Sequence, residues 1–259
     1  MHTRLPAGVG QCHNMTEKIW FLKRCDLFER LTPDEAAHLE RRAVMRTFKR
    51  GNIIYFPDDP GRSILVLLRG RVKIKSLTVQ GKETILAFID EGEIFGELAL
   101  VDSEPRHEYA EAVESAQVLV IPSEDVQWLL ERRPDVALSV TKLLGLRRRR
   151  IENRLRNILF CSVRERIIHL LLELVESHGR QVREGWEIGL PLSHQDLANL
   201  IGATRETVSL GLGQLQVERS IRVSRRRITV VNRGRLECEV RGSSGHVAAP
   251  DRPRCDYRA

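Results

Sequence analysis

One segment of the chain combines two predicted helices with side chains that suit the edges of DNA bases. Residues 192–218 read LSHQDLANLIGATRETVSLGLGQLQVE. Arg205, Glu206 and Ser209 lie on the outer face at the start of the second predicted helix. Arginine can donate two hydrogen bonds to guanine O6 and N7, and glutamate can accept one from cytosine N4. The chemistry predicted for this face is recognition of base edges in a major groove.

Local capping signals predict where these two helices begin and how they are joined. Ser193 and Asp196 have the spacing of a capping box, and Thr204 can cap the second helix. Gly202 stands at the sharp turn between them, where a residue without Cβ is favoured. Apolar residues give each helix a buried face, namely Leu197, Ala198, Leu200 and Ile201 in the first and Val208, Leu212 and Leu215 in the second. The pattern predicts a helix-turn-helix.

A short hairpin with a basic tip is predicted after the second helix. Residues 221–223 and 228–231 are rich in β-branched side chains and bracket Ser224-Arg225-Arg226-Arg227. Arginines in such a position suit contacts with DNA phosphates. Residues 161–235 contain twelve basic and eight acidic side chains, so they carry +4 of the net charge of +7. This concentration favours nucleic acid over a membrane surface, because no basic helix with large apolar residues on its other face is found.

The segment from Val44 to Ile121 has the pattern of a small β-barrel or jelly roll. Short strands separated by glycine turns at near-regular spacing are typical of such folds. Gly81 has the conformational freedom that a hairpin turn at residues 79–82 needs. The β-branched runs lie at residues 52–56, 63–68, 72–75 and 84–88.

A long helix is predicted from Pro134 to Phe160, because no proline interrupts this segment after its first residue. Its apolar residues recur mostly at three- and four-residue steps. They are Val136, Val140, Leu143, Leu144, Ile151, Leu155, Ile158 and Leu159. Such a stripe can pack within the chain, but its length favours a partner helix, most simply that of a second copy in a two-fold dimer.

Composition excludes several other classes of protein. Hydrophobic residues make up 42% and charged residues 30%, the profile of a soluble globular protein. No apolar run approaches the ~20 residues of a membrane span, and the N-terminus lacks the apolar region of a secretory signal. The five cysteines include no C-x-x-C pair, so we predict no metal site. No nucleophile–base pair or phosphate loop is found, so we do not expect an enzyme.

The order of the predicted elements (β-barrel segment, long helix, helix-turn-helix and basic hairpin) resembles that of the CRP/FNR superfamily of transcription regulators, which includes the cyclic-AMP receptor protein. The resemblance covers roughly residues 21–235 and rests on Gly96-Glu97-Leu98-Ala99-Leu100, Arg166-Ile167 and Thr204-Arg205-Glu206-Thr207-Val208-Ser209. It implies an α+β fold with an N-terminal cyclic-nucleotide-binding-type β-roll (a double-stranded jelly roll), a long dimerisation helix and a C-terminal winged helix-turn-helix. It also implies a cytoplasmic homodimer that binds palindromic half-sites in double-stranded DNA and recruits or blocks RNA polymerase.

These expectations divide the chain into five segments. We expect a mobile N-terminal arm at residues 1–18, an effector-sensing β-roll domain at 19–130 and a dimerisation helix at 131–160. A winged helix-turn-helix DNA-binding domain is expected at 161–236. Residues 237–259 are rich in Gly, Pro, Ser and charge, so we expect a disordered tail there.

The expected DNA contacts come from the two helices and the hairpin. The residues are Ser193, His194, Thr204, Arg205, Glu206, Thr207, Ser209, Leu210, Arg225 and Arg226. Family members commonly carry an arginine where this chain has Leu210. One guanine contact is therefore lost, or replaced by apolar contact with a thymine methyl. The half-site is expected to resemble the family's TGTGA-like sequence without copying it.

A second set of residues is expected to bind a small effector without a covalent cofactor. These are Gly96, Glu97, Leu98, Arg106, His107, Arg147, Ile151 and Glu152. By resemblance to the cyclic-AMP receptor, Glu97 and Arg106 match the groups that hold the ribose and the phosphate. His107 replaces a serine there, and Ile151-Glu152 replace the Thr-Ser pair that meets the adenine.

The identity of the effector stays open at this point. In residues 192–195 (Leu-Ser-His-Gln), residues 228–230 (Ile-Thr-Val) and the basic hairpin, the C-terminal half is also similar to cyanobacterial global nitrogen regulators, which sense 2-oxoglutarate. By that resemblance Arg147 and Glu152 would serve the ligand site. Cyclic AMP, 2-oxoglutarate and an unknown or absent ligand are the alternatives. The rival to a ligand-tuned DNA-binding regulator is a cyclic-nucleotide-binding regulatory module without a DNA-reading function.

Overall fold

The computed structural model describes Phe28 and residues 31–101, 104–225 and 227–243. The described residues form two compact units, the first made of residues up to 80 with 86–145 and the second of 81–85 with 146–243. The arm expected at 1–18 and residues 244–259 of the expected tail lie outside them. Within these ranges, no helix is long and apolar enough to cross a membrane.

The first unit is a β-roll with helices on one side. Its strands form two antiparallel four-stranded sheets, in the orders β1-β8-β3-β6 and β2-β7-β4-β5. Gly81 has φ 77°, as the predicted hairpin turn requires. The elements are α1 (Pro33–Arg42), β1 (Val44–Phe48), β2 (Ile53–Tyr55), β3 (Ser63–Arg69), β4 (Val72–Leu77), β5 (Glu83–Ile89), β6 (Ile94–Phe95), a 3₁₀ turn (Glu97–Leu100), β7 (Tyr109–Ala112), β8 (Ala116–Pro122) and α2 (Ser123–Arg132).

Strand β3 is apolar on both faces because it lies between two cores. Ile64 and Val66 belong to a core that β3 shares with α1, α2 and β8. Leu65 and Leu67, on the opposite face, belong to a second core between the two sheets. An unbroken apolar run such as residues 64–68 is what a strand buried on both sides requires.

The long helix α3 (Pro134–Phe160) runs from the first unit into the second, and its apolar stripe has two different fates. Val136 and Val140 are buried, and Val136 joins the core next to α1 and α2. Further along, Ile151, Leu155, Ile158 and Leu159 are 44–65% exposed. The expectation of one intermolecular stripe is therefore wrong for its first part, which packs within the chain, while the last part keeps about half of its side-chain surface exposed.

The second unit contains the predicted helix-turn-helix and a four-stranded sheet in the order β11-β12-β10-β9. The β9–β10 hairpin was not predicted, because its strands contain few β-branched residues. It is fixed by non-local pairing, in which Trp186 lies opposite Val230. The elements are α4 (Val163–His178), β9 (Gly179–Val182), β10 (Gly185–Ile188), α5 (His194–Ile201), α6 (Arg205–Val217), β11 (Ile221–Ser224), β12 (Arg227–Val230) and α7 (Arg233–Ser243).

Helix α7 corrects the expected start of the disordered tail. The chain stays helical through residues 237–243, although their composition favours disorder. Leu236 and Val240 are buried, and the carboxylate of Glu239 accepts two hydrogen bonds from the guanidinium of Arg164. Tertiary burial and this ion pair outweigh the weak local preference for a helix.

Candidate functional site

Capping interactions set the start of both helices of the helix-turn-helix at the predicted residues. The Ser193 hydroxyl oxygen accepts from the Asp196 backbone N–H at 3.1 Å, and the Asp196 carboxylate accepts from the Ser193 N–H at 2.9 Å. The Thr204 hydroxyl oxygen accepts from the Thr207 N–H at 3.3 Å. Gly202, at φ 66°, ends α5 in the left-handed conformation. Ser193 and Thr204 therefore have structural roles in addition to their expected DNA contacts.

Helix α6 is buried along one face and exposed along the other. Val208, Leu212 and Leu215 are buried. At Gly211, a Cβ would lie 2.6 Å from Cδ1 of Ile167, so α6 packs tightly on α4. The outer face presents the expected DNA-contacting residues Arg205, Glu206, Thr207 and Leu210, all of which are exposed.

The electrostatics of the α6 N-terminus keep Glu206 ionised. Hydrogen bonds from its own backbone N–H and from the Thr204 hydroxyl lower the pKa of this carboxyl group, and the charge of Arg205 lowers it further. A carboxylate is also favoured by the dipole at a helix N-terminus. At neutral pH this face therefore offers one fixed acceptor beside one fixed donor, a pairing that suits a G·C base pair.

A hydrogen-bonded link that the sequence did not predict joins α5 to α6. The hydroxyl of Ser209 donates to the Arg205 carbonyl at 2.8 Å, and its oxygen lies 2.7 Å from Nδ1 of His194. Because a hydroxyl has one hydrogen, Nδ1 of His194 must be the donor in the second bond. His194 and Ser209 were expected to contact DNA separately. In the structure they are hydrogen-bonded to each other, and His194 fixes the position of the Ser209 hydroxyl.

The arginines of the β11–β12 hairpin differ in whether a glutamate balances their charge. Arg225 is exposed in the two-residue turn, where its φ is 35°. Arg222 forms an ion pair with Glu184, and Arg227 lies 3.9 Å from Glu187. Of the three hairpin arginines that the structure describes, Arg225 makes no ion pair; Arg226 lies outside the described residues. The tip therefore carries more uncompensated positive charge than its flanks.

In the β-roll, the expected anion-binding Arg106 is buried, with 7% of its surface exposed. Its guanidinium donates to the backbone carbonyls of Ser63 at 2.6 Å and Gly96 at 3.4 Å. It also lies 4.2 Å from the centre of the Tyr55 ring, within the range of a cation–π interaction. By contrast, the neighbouring His107 is exposed.

Tyr55 and Glu108 complete this cluster, and no pattern in the sequence predicted the role of Tyr55. The Tyr55 hydroxyl donates to Glu108 Oε1 at 3.1 Å. Burial, followed by the charge of Glu108, raises the pKa of the Tyr55 phenol, so it remains a donor at physiological pH. The charge of Glu97 acts in the same direction. These residues are brought together by the pairing of β2 with β7, in which Tyr55 lies opposite Ala110. Local sequence patterns do not predict this pairing.

Gly96 is conformationally and sterically required beside Arg106. Its φ is 68°, and a Cβ would lie 2.4 Å from Arg106 Nη1. We expect Gly96→Ala to lower the free energy of unfolding by about 1–3 kcal/mol, since the backbone is strained for any other residue and the guanidinium must move. Calorimetric melting measures this loss.

Gly145→Ala is the matched control for that substitution. Gly145 lies within α3, and nothing is within 4 Å of the position of its Cβ. Alanine there should stabilise the helix by about 0.5–1 kcal/mol. Equal melting temperatures for the two variants would contradict the role given to Gly96.

The expected effector residues of α3 lie on its exposed surface. Glu152 accepts a hydrogen bond from Arg148 at 2.7 Å, the i,i+4 pairing usual on a helix surface. Ile151 is half exposed. Across the described ranges, no group of three or more His, Cys, Asp or Glu side chains has the arrangement of a metal site.

Both halves of the chain match known protein families. The profile of the cyclic nucleotide-binding domain matches residues 45–133, and that of the Crp-like helix-turn-helix domain matches residues 165–239. The chain is 34% identical over 191 residues to a global nitrogen regulator of Synechocystis sp., which covers 73% of this chain and 85% of that protein. It is 26% identical over 215 residues to a CRP-like cAMP-activated global transcriptional regulator of Mycobacterium tuberculosis, covering 83% of this chain and 96% of that one. A solved structure of a CRP/FNR family transcriptional regulator from Thermus thermophilus superposes with a TM-score of 0.62 at 27% identity, covering 78% and 100% of the two chains.

Proposed function

The chain belongs to the CRP/FNR family of DNA-binding transcription regulators, and from this membership we propose that it acts as a cytoplasmic homodimer on palindromic DNA, with its affinity tuned by a small anionic effector. Each α6 would read one half-site, and binding would recruit or block RNA polymerase. The observation that carries the proposal is the outer face of α6, where Arg205 and Glu206 stand exposed on a helix whose other face is buried. These are residue types that read base edges from a helix N-terminus.

The dimer is proposed from the exposed part of the α3 stripe. Ile151, Leu155 and Ile158 follow one another at steps of four and three residues, Leu159 lies next to Ile158, and all four side chains are 44–65% exposed. An apolar seam with this spacing fits a second helix of the same kind, related by a two-fold axis. Two-fold symmetry in the protein is matched by palindromic half-sites in the DNA.

The anionic character of the effector is proposed from the Arg106 cluster. A guanidinium has five N–H donors, and two backbone carbonyls engage Arg106 here. It can therefore donate to a phosphate or carboxylate while it keeps its present contacts. The Glu108 carboxylate accepts its hydrogen bond from Tyr55. Among the described residues, no carboxylate therefore competes with an anionic ligand for the Arg106 guanidinium.

Fluorescence anisotropy on a labelled palindrome with TGTGA-like half-sites tests this function. The full-length protein is titrated alone, with cyclic AMP and with 2-oxoglutarate. Tightening by one ligand identifies the effector, because a ligand shifts an equilibrium only through its differential affinity for the two states. Equal specific binding in all three titrations would refute control by cyclic AMP or 2-oxoglutarate and would point to a constitutive or differently triggered regulator. No specific binding to this palindrome or to sites selected from a random library would refute DNA recognition.

Arg225 should contribute to DNA affinity without contributing to sequence preference. Arg225→Gly removes the cation, and glycine suits the positive φ of this position, so folding is not impaired. We expect weaker binding to every DNA sequence and a salt slope of binding that falls by about 1, as the loss of one phosphate contact predicts. Arg222→Ala, whose charge Glu184 already balances, is the control and should change affinity less. A loss confined to one operator sequence would argue against a phosphate contact.

A further inference from the structure

One line of residues along the exposed side of α6 becomes apolar after the first turn of the helix. Residues at successive steps of four, three and four lie along one line of a helix. Opposite the buried face of α6, this line consists of Glu206, Leu210, Gly213 and Val217. Leu210 is 66% exposed and Val217 is 83% exposed. The charged start of the helix is therefore followed by exposed aliphatic surface.

The hydroxyl groups in this part of α6 are engaged within the chain. Ser209 donates its single hydroxyl hydrogen to the Arg205 carbonyl at 2.8 Å. The Thr204 hydroxyl donates to the Glu206 carboxylate, so Thr207 must be the donor in the 2.9 Å contact between the two threonine hydroxyls. Neither Ser209 nor Thr207 therefore has a hydroxyl hydrogen left for a base edge, and the second turn of α6 offers DNA mainly aliphatic surface.

The position that follows Leu210 on this line is Gly213, which has no side chain. Among the described residues, nothing lies within 4 Å of the place that a Cβ would take there. Within α6, all of which the structure describes, Leu210 therefore carries the only side chain on the line between Glu206 and Val217. Its methyl groups are left open to contact from outside the chain.

The major groove of DNA presents one methyl group to such a side chain. It is the C5 methyl of thymine, whereas the other groups that distinguish the base pairs there are hydrogen-bond donors or acceptors. Leucine can satisfy neither a donor nor an acceptor, but free energy is gained when its apolar surface and a methyl group leave water together. Leu210 lies one helical turn beyond Glu206, about 6 Å along the axis, which corresponds to about two base-pair steps.

We propose that Leu210 reads the methyl group of a thymine. Each half-site then has an A·T pair within about two base-pair steps of the pair contacted by Glu206. This inference rests on the proposed function and deepens it, because it names the base that the second turn of α6 selects. Val217 lies a further seven residues, or about 10 Å, along the helix. Base contacts come from the N-terminal part of a recognition helix, so Val217 has no part in this contact.

Deoxyuridine lacks only the C5 methyl of thymidine, so it removes the proposed contact from the DNA side. The full-length protein is titrated by fluorescence anisotropy against its preferred operator, selected from a random library. It is also titrated against operators in which deoxyuridine replaces one thymine of one half-site at a time. We expect one replacement to weaken binding about four-fold, the equivalent of one buried methyl group, and the others to weaken it less. A preferred operator without thymine in this part of the half-site, or equal affinity for every operator of the series, would overturn the proposal.

Leu210→Ala removes the same contact from the protein side. Because Leu210 is exposed, the melting temperature should not change. We expect this variant to bind the thymine operator as weakly as the wild type binds the deoxyuridine operator, with no further loss when the methyl is removed. Val217→Ala is the matched control, since it also shortens an exposed aliphatic side chain on this line, and it should behave like the wild type with both operators. Equal losses from deoxyuridine in the wild type and in Leu210→Ala would mean that the methyl acts through DNA shape, and would overturn the proposal.

Titration of Arg205→Ala against the same operators separates this inference from the proposed function. If the wild type prefers one operator sequence through Arg205 and no deoxyuridine replacement weakens its binding, the DNA-reading function stands and the thymine contact is wrong. If the wild type prefers no DNA sequence, the DNA-reading function fails and the thymine contact fails with it.

Discussion

Replacing Leu155 with glutamate should convert the protein to a monomer and lower its affinity for a palindromic operator by about two to four orders of magnitude. Leu155 is 55% exposed in the middle of the uncovered apolar stripe of α3. A carboxylate there would have to be buried unpaired in a helix–helix seam, which strongly opposes association. Losing the dimer removes the gain in effective concentration that links two half-site contacts. Sedimentation equilibrium and anisotropy measure the two losses.

The control for this variant is Asn153→Glu. It makes the same change in charge on the same helix at an exposed position outside the stripe. It should remain dimeric and bind the palindrome like the wild type. Both variants should bind an isolated half-site equally, because the helix-turn-helix is unchanged. A dimeric Leu155→Glu protein with full affinity would refute the assigned interface.

Arg205→Ala should cost about 1–3 kcal/mol of binding free energy on the preferred operator and should abolish the preference at one base pair of each half-site. The expected size is that of one bidentate contact between arginine and guanine. Arg205 is exposed at the first position of α6, so its loss removes no buried contact. Affinities for a set of operators, each changed at one position, measure both effects.

Comparing the operator affinities of Arg205→Ala with those of Arg225→Gly distinguishes a base contact from a phosphate contact. A base-reading residue changes the ranking of operators, whereas a phosphate-contacting residue lowers all affinities together. A uniform loss in Arg205→Ala would therefore assign Arg205 to the DNA backbone. Melting temperatures of the two variants should stay close to that of the wild type, which separates DNA contact from folding.

Features encoded by neighbouring residues could be predicted from the sequence. The capping box of Ser193 with Asp196, the Thr204 cap and the left-handed Gly202 each depend on a few adjacent positions, and each occurs in the structure. The β-branched run at residues 63–68 predicted a strand for the same reason, and β3 lies there. The order of these local signals was sufficient to identify the family, which the comparisons confirm.

Features that depend on distant contacts could not be predicted. The β9–β10 hairpin is held by pairing with β12, about forty residues further along the chain. Helix α7 is held by buried Leu236 and by the ion pair of Glu239 with Arg164, although its composition resembles that of a tail. The contact between Arg106 and Tyr55 depends on sheet pairing, so a resemblance could assign Arg106 but could not identify its neighbour.

The close packing of Gly211 against Ile167 links the stability of α6 to that of α4. Two glycines, Gly211 and Gly213, each weaken the intrinsic helix propensity by roughly 1 kcal/mol relative to alanine. A helix of 13 residues with this composition would not persist in water alone. The base-reading surface therefore exists only while it is docked, so α6 unfolds together with its support, and partly melted protein would have no residual sequence preference.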